Sequence, residues 1–359
     1  MPRKQQRALS GHTLFIGLPH AYFTLAFYIP TSGIKFIVKK RLPKNTLPAL
    51  AVGLFMVLLV LRPSYFLDSA SRGLLLFATS VLPAVFPFFF CSSLLTALGG
   101  ANALSRLGAK PVRALFNSPP VGAYVLTLSM LSGYPIGAAT TADLYLRGAI
   151  DSDDAKRICA FTSTSGPIFI LGTVGSAVFG SPVCGAVILA AHYAAAVTTG
   201  IVFRGRRKPS PPRTLPHPAD HDGILAGCIS SAALSMLAVG GYIVISNMLV
   251  DALSLAGLGK LLSSIPSREA AECLNALIAG AVEMTRGSMA AADIPDQALA
   301  VALAAAIVSF GGLSVLLQSH VFLSRCGVRF SSLLARKAVQ CAAAFIYAYT
   351  LSQIIFTNL

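Results

Sequence analysis

The sequence predicts an all-α polytopic membrane protein, an inverted repeat of transmembrane helices with two re-entrant hairpins. Three observations point there. Hydrophobic residues make up 55% of the 359 and charged residues only 11%, with a mean hydropathy of +0.72 that no water-facing surface of this size sustains. Apolar stretches near 46–62, 73–98, 158–180, 183–203, 223–250, 297–322 and 338–357 approach the roughly 20 residues that cross the hydrocarbon core as a helix. The basic residues behind the net charge of +15 gather in short connections between those stretches, where Lys and Arg mark the cytoplasmic face.

The same facts exclude other classes. No basic face with interleaved aromatics exists, so nucleic acid is not expected as a partner. The seven cysteines stand singly, without a CxxC or Cys/His cluster, and read as small buried hydrophobes rather than metal ligands or disulfides. No phosphate-cradling glycine loop, HExxH, nucleophile elbow or spaced Ser/His/Asp set is present. An enzyme, a cofactor and a metal are therefore not expected.

Along the chain, Arg3, Lys4 and Arg7 precede an apolar run at 13–34 that Pro19, His20 and Pro30 interrupt. With basic residues on both sides, 1–45 reads as an N-terminal extension, an anchor or an interfacial hairpin. Lys39, Lys40, Arg41 and Lys44 put residue 45 inside, so 46–62 exits and 73–98 returns. LSRLGAKPVRALF (104–116) sets Arg106, Lys110 and Arg113 among leucines, as an interfacial amphipathic segment does. RGRRKPSPPRTLPHPADHD (204–222) is basic and proline-rich, an unfolded cytoplasmic linker between a first repeat at 46–203 and a second at 223–359.

With the linker inside, 183–203 runs inward and 158–180 outward, which forces 120–148 to start and finish on the cytoplasmic side. In the second half 223–250 exits, 297–322 returns to the basic loop at 325–337, and 338–357 exits, so 268–290 enters and leaves from outside. The two halves share an order of parts and oppose each other in orientation. Residues echo this weakly: GYPIGAATTADLYLRGAI and AGAVEMTRGSMA each carry Arg-Gly near the end (Arg147-Gly148 and Arg286-Gly287). TSTSGPIFILGT parallels VSFGGLSVLLQS, matching Gly166 with Gly311 and Thr173 with Gln318. Paired interrupted segments of this kind mark secondary transporters with inverted repeats.

Breaking a helix in lipid strands backbone groups at several kcal/mol each, so breaks survive inside protein or beside a watery cavity. SGYPIGA, with Ser132, Gly133, Tyr134, Pro135 and Gly137, therefore reads as a hairpin tip facing a bound solute; a kink that lets helices approach closely is the alternative. In FTSTSGPIF, Gly166 and Pro167 end one half-helix and start another whose positive end suits an anion. Ser163, Thr164 and Ser165 add hydroxyls there, which can instead bond preceding carbonyls. Ser309, Gly311 and Gly312 of SFGGLS form the counterpart, with Gln318 beyond. Glu283, Thr285 and Arg286 complete the candidate substrate-binding set. The acid can couple protons or sodium and the arginine can grip a substrate carboxylate. Alternatively Glu283 with Arg286, and Asp143 with Arg147, form ion pairs along a helix. His192 and His320, each alone in a crossing, read as packing histidines rather than proton relays. DSDDAKR (151–157) reads as a helix start with capping acids.

LDSASRGLLLFATSVLPAVFPFFF, GYPIGA, LRG, DDAKRICAFTSTSGPIFILGTVG and ILAAHYAAAVTTGIVFR resemble, in that order, the sporulation integral membrane protein YlbJ family, which carries the Gate or nucleoside recognition domain. The resemblance spans roughly 47–356 and is densest over 67–204; residues 1–40 fall outside it. It implies a fold similar to concentrative nucleoside transporters and a place in the mother-cell or outer forespore membrane. It also implies transport of a small organic anion, dipicolinic acid, with sporulation membrane proteins and a coupling ion as conceivable partners beside the lipid bilayer. A nucleoside-type transporter and a non-transporting scaffold for spore assembly are the alternatives. Family members often carry Lys or Thr after GYPxGA, where this chain has Ala139 and Thr140.

Overall fold

The computed structural model describes residues 46–211, 223–258, 262 and 264–356, and these contain helices and no strand. The expectations for residues 1–45 and for 212–222 of the linker lie outside the described residues. The chain divides into two compact units, 1–52 and 53–359. Of the first, the described part is 46–52, where helix α1 (Thr46–Leu61) begins. The second holds everything that follows.

α2 (Pro63–Leu76) passes through a π-wound turn, Phe77–Val81, into α3 (Leu82–Ala97). α4 (Gly100–Phe116) is the amphipathic segment expected at 104–116. Its Ser105, Val112 and Phe116 are buried, while Arg106, Lys110 and Arg113 face outward with Leu107 and Leu115. That mixture of cations and leucines suits a headgroup boundary.

The first hairpin is α5 (Val121–Ser132) and α6 (Ile136–Leu146), and the chain reverses over 133–135, where the Tyr134–Pro135 peptide is cis. α7 (Ser152–Phe161) starts where expected: Asp151 accepts the backbone N–H of Asp154 at 2.8 Å, relieving one of the donors that a helix start leaves unpaired. An irregular stretch at 162–166 separates α7 from α8 (Ile168–Val178), which is π-wound, and α9 (Pro182–Val202) follows.

The second half repeats this order. After α10 (Ile224–Leu253) come the hairpin α11 (Arg268–Val282) and α12 (Met284–Ala292), then the broken pair α13 (Gln297–Phe310) and α14 (Gly312–Leu323), then α15 (Phe330–Phe356). α6 of the first hairpin packs on α14, and α12 of the second hairpin packs on α8. The long helices α9 and α15 pack on each other and on α13. The buried face of α13, Ala300 to Ala306 with Val301 and Leu303, is almost all small residues, which lets three helices approach closely.

Side-chain bonds fix which loops share an end of the bundle. Arg157 Nη1 donates to the carbonyl of Asn117 at 2.7 Å, Ser152 Oγ to that of Cys326 at 2.6 Å, and Asn117 Nδ2 to that of Gly205 at 3.2 Å. The connections before α5, before α7, after α9 and before α15 therefore lie together, as the charge reading requires for the basic face. At the opposite end Gln297 meets Cys184 at 3.5 Å, joining the starts of α13 and α9.

Two expectations need correction. The linker was read as unfolded throughout, yet its first residues are moored to the start of α7. Arg207 Nη1 lies 2.8 Å from Asp153, the Ser210 N–H donates to Asp154 at 3.1 Å, and Ser210 Oγ bonds Asp151 at 3.0 Å. The acids that cap α7 leave oxygens over, and the basic linker supplies donors. α15 begins at Phe330 rather than near 338. The helix tolerates Arg336 and Lys337 because the guanidinium of Arg336 lies 5.0 Å from the centre of the Phe203 ring and Lys337 finds oxygen partners inside.

This mooring gives a pH prediction. Hydrogen bonds from Lys156 and Arg207 hold the Asp153 carboxyl below its ordinary value. At Asp151 burial pushes upward, but the Asp154 N–H, Ser210 and Arg207 together outweigh it. Both groups favour the docked state above the unfolded carboxylate pKa of about 3.9, and that contribution disappears as pH falls through their lowered values. Hydrogen exchange of 204–211, corrected for intrinsic rate, is expected to rise between pH 5 and pH 3 in line with these arguments. Asp151→Asn with Asp153→Asn should speed tryptic cleavage after Arg206 or Arg207 at neutral pH.

Candidate substrate cavity at the helix breaks

The two hairpin tips, the first helix break and the start of α14 just past the second break meet around one cavity of about 140 Å³. Ser132, Gly133 and Tyr134 come from the first tip, and Glu283, Met284 and Thr285 from the second. Ser165, Gly166, Ile168, Phe169 and Thr173 come from the first break and α8, and Ser314, Val315 and Gln318 from α14. Apolar residues of α2, α3 and α10, such as Phe88 and Ile243, close the remaining wall.

Each tip is seated on the break of its own half through glycine. Gly133 has φ +84°, and a Cβ built on it would lie 2.4 Å from the Gly166 nitrogen. Gly312, with φ +70°, would place a Cβ 2.8 Å from the Val282 carbonyl oxygen. Both positions combine left-handed backbone with main chain packed on main chain, which a side chain does not permit.

His192 on α9 ties the two breaks together. Its Nε2 accepts the backbone N–H of Ser165 at 2.8 Å, and its Nδ1 lies 2.7 Å from Ser309 Oγ. A backbone N–H can only donate, so Nε2 carries no proton and the ring is the neutral Nδ1–H tautomer. The expectation of a packing histidine stands, with a more definite task.

Among the described residues, Glu283 is the one ionisable carboxylate lining the cavity. It is 5% exposed and accepts the Arg286 N–H at 2.9 Å, so it caps α12 with its own charge. The first N–H groups of α8 and α14 have no such carboxylate, and those two helix starts present positive potential to the cavity. Ser132 is 8% exposed, lines the cavity, and its Oγ has no partner among the described residues.

The remaining sequence candidates sit elsewhere. Arg286 does not line the cavity or pair with Glu283. Its Nη1 binds Asp251 of α10 at 2.6 Å, and Arg72 of α2 binds the same carboxylate at 2.8 Å. Ser163, Pro135 and Gly137 border a much smaller void of about 10 Å³ on the other side of Tyr134. Thr164 bonds Ser129 at 2.8 Å, Ser309 holds His192, and Gly311 and Pro167 shape the breaks without lining the cavity. The alternative for Asp143 and Arg147 is what occurs, an ion pair at 2.8 Å on α6. His320 packs 5.4 Å from the Phe330 ring.

Lys337 and Asp251 were missed. Asp251 is a single charge at the end of an apolar stretch, a signal that ordinarily points to function, whereas Lys337 directly follows Arg336 at the start of another. Lys337 was assigned to the basic loop before α15, and Asp251 falls just past the 223–250 crossing.

In sequence, the chain is 28% identical over 347 residues to the "Sporulation integral membrane protein YlbJ" of Bacillus subtilis (strain 168), covering 87% of this chain and 84% of that protein. This chain is a relative of YlbJ. No family model matches it, and no solved structure does. Among the described residues, this chain has four helices long and apolar enough to cross a membrane, or up to six if each of two bent pairs is one span, as a multi-pass membrane protein requires. The motifs that carry the resemblance supply much of its cavity: GYPIGA gives the first tip, and TSTSGPIF gives the break beneath it.

Proposed function

We propose that this protein is a secondary transporter of a small planar organic anion, dipicolinate in the sporulating cell, moved across the outer forespore membrane. The observation that carries the reading is the convergence of two hairpin tips, one helix break and the half-helix that follows the other on one cavity. In lipid, unwound backbone survives only where it is packed or solvated, and transporters use such breaks to hold solute near the bilayer centre. The shared order of parts, and hairpins attached at opposite ends of the bundle, support an inverted repeat like that of concentrative nucleoside transporters and the Gate class.

Size and polarity support a single-ring solute. A cavity on the order of 150 Å³ holds one benzene-sized ring, and dipicolinate is one pyridine ring with two carboxylates. The starts of α8 and α14 offer N–H groups for carboxylate oxygens, and Ser132, Thr285 and Gln318 offer side-chain donors.

Purified protein in liposomes is expected to move labelled dipicolinate down an imposed gradient. Absence of flux under every ion gradient would leave a scaffold role instead. Ser132→Ala removes a hydroxyl that makes no bond within the described protein. Its apparent KM should therefore rise about 2- to 10-fold while thermal unfolding stays where it is. An unchanged KM would take Ser132 out of the site.

A further inference from the structure

Lys337, on the second turn of α15, is 1% exposed, and no carboxylate pairs with it among the described residues. Its ammonium has three donors, and three oxygens take them: Tyr134 Oη at 2.6 Å, the Ser163 carbonyl at 3.2 Å and Gln340 Oε1 at 2.8 Å. The same ammonium lies 4.6 Å from the centre of the Tyr134 ring, a favourable place for a cation.

Tyr134 is the first hairpin tip, and Ser163 is unwound chain just past the C-terminal end of α7. Since Tyr134 Oη accepts from the lysine, its own proton is free for the carbonyls of Val308 and Ser309, each 3.3 Å away. Those carbonyls belong to the last turn of α13, where a helix has no partners of its own for them and carries negative potential. The ammonium is thus joined, directly or through one hydroxyl, to the carbonyl-rich ends of both broken helices. In transporters built from interrupted helices, such unwound carbonyls and half-helix C-termini bind the coupling sodium ion or proton.

We propose that the Lys337 ammonium is a tethered resident of a cation site at this junction, so that the protein holds its hairpin and breaks together without a bound alkali ion. The site is formed by Tyr134 Oη, the Ser163 carbonyl and Gln340 Oε1, and the ligand class it takes once the lysine is removed is a small monovalent cation. This deepens the transport reading and rests on it for its meaning, but its test needs no substrate.

The test uses the full chain purified in detergent, with sodium chloride, ethylammonium chloride or choline chloride at equal ionic strength. Wild-type protein should show no saturable binding of radioactive sodium and one thermal midpoint in all three salts. Lys337→Ala should melt lower by about 5 °C or more in choline and recover saturably in ethylammonium or sodium. Lys337→Ser, which adds an oxygen ligand, should recover more fully in sodium. Saturable sodium binding by the wild type overturns the inference, and that measurement stands even if the variants do not fold. A midpoint for both variants that ignores cation identity overturns it as well. None of these readouts is flux, so failure here leaves the transport reading standing, and absence of dipicolinate flux leaves the cation site standing.

Discussion

Gly133→Ala is expected to destroy the dipicolinate flux proposed above and to lower stability by about 2–6 kcal/mol, summing left-handed strain with overpacking. The added methyl meets the Gly166 nitrogen at 2.4 Å, and neither partner is a side chain that can rotate away. Either the first tip lifts off its break, which opens the cavity, or the backbone of both segments shifts. Gly241→Ala on α10 is the control: nothing lies within 4 Å of its Cβ, and alanine favours a helix by up to about 1 kcal/mol over glycine. Thermal unfolding and liposome flux read both. Wild-type behaviour of Gly133→Ala would show that the tip does not need its close seat on Gly166.

His192→Leu is the second large effect. Leucine fills much of the ring's volume but leaves the Ser165 N–H and the Ser309 hydroxyl buried without a partner. Each orphaned group costs roughly 1–3 kcal/mol, so a loss of about 2–6 kcal/mol is expected by the same principle. Coupling makes the prediction specific. Ser309→Ala should cost at least about 0.5 kcal/mol less in the His192→Leu background than in wild type, because the bond it removes is already gone. Full additivity in that cycle would mean that the histidine does not bridge the two breaks.

Much of the fold was legible because membrane helices announce themselves by length and apolarity, and the connections that the basic residues grouped together do share one end of the bundle. The hairpin placed at 120–148 turns at Gly133 and Pro135 for the reason that made it visible, since those residues leave the backbone free or remove a donor. The mooring of 204–211 was not legible. It depends on Asp151, Asp153 and Asp154 having oxygens left after capping α7, which appears only once the fold brings the linker to them. The cavity was half legible: Ser132, Ser165, Glu283, Thr285 and Gln318 came from the break motifs. Arg286 did not reach it, because Asp251, thirty-five positions earlier, offers a carboxylate that sequence spacing does not show. Lys337 was hidden by the rule that exposed the rest, since a lysine beside a basic loop counts as a loop residue until three oxygens are found around it.

The tips of the two hairpins are neighbours around one small chamber. In the proposed inverted repeat the hairpins enter from opposite ends, so withdrawing one tip would admit solvent from its own end alone while the other stays seated on its glycine. Two valves that share a chamber and never need to part together are enough to pass a solute without ever leaving an open bore.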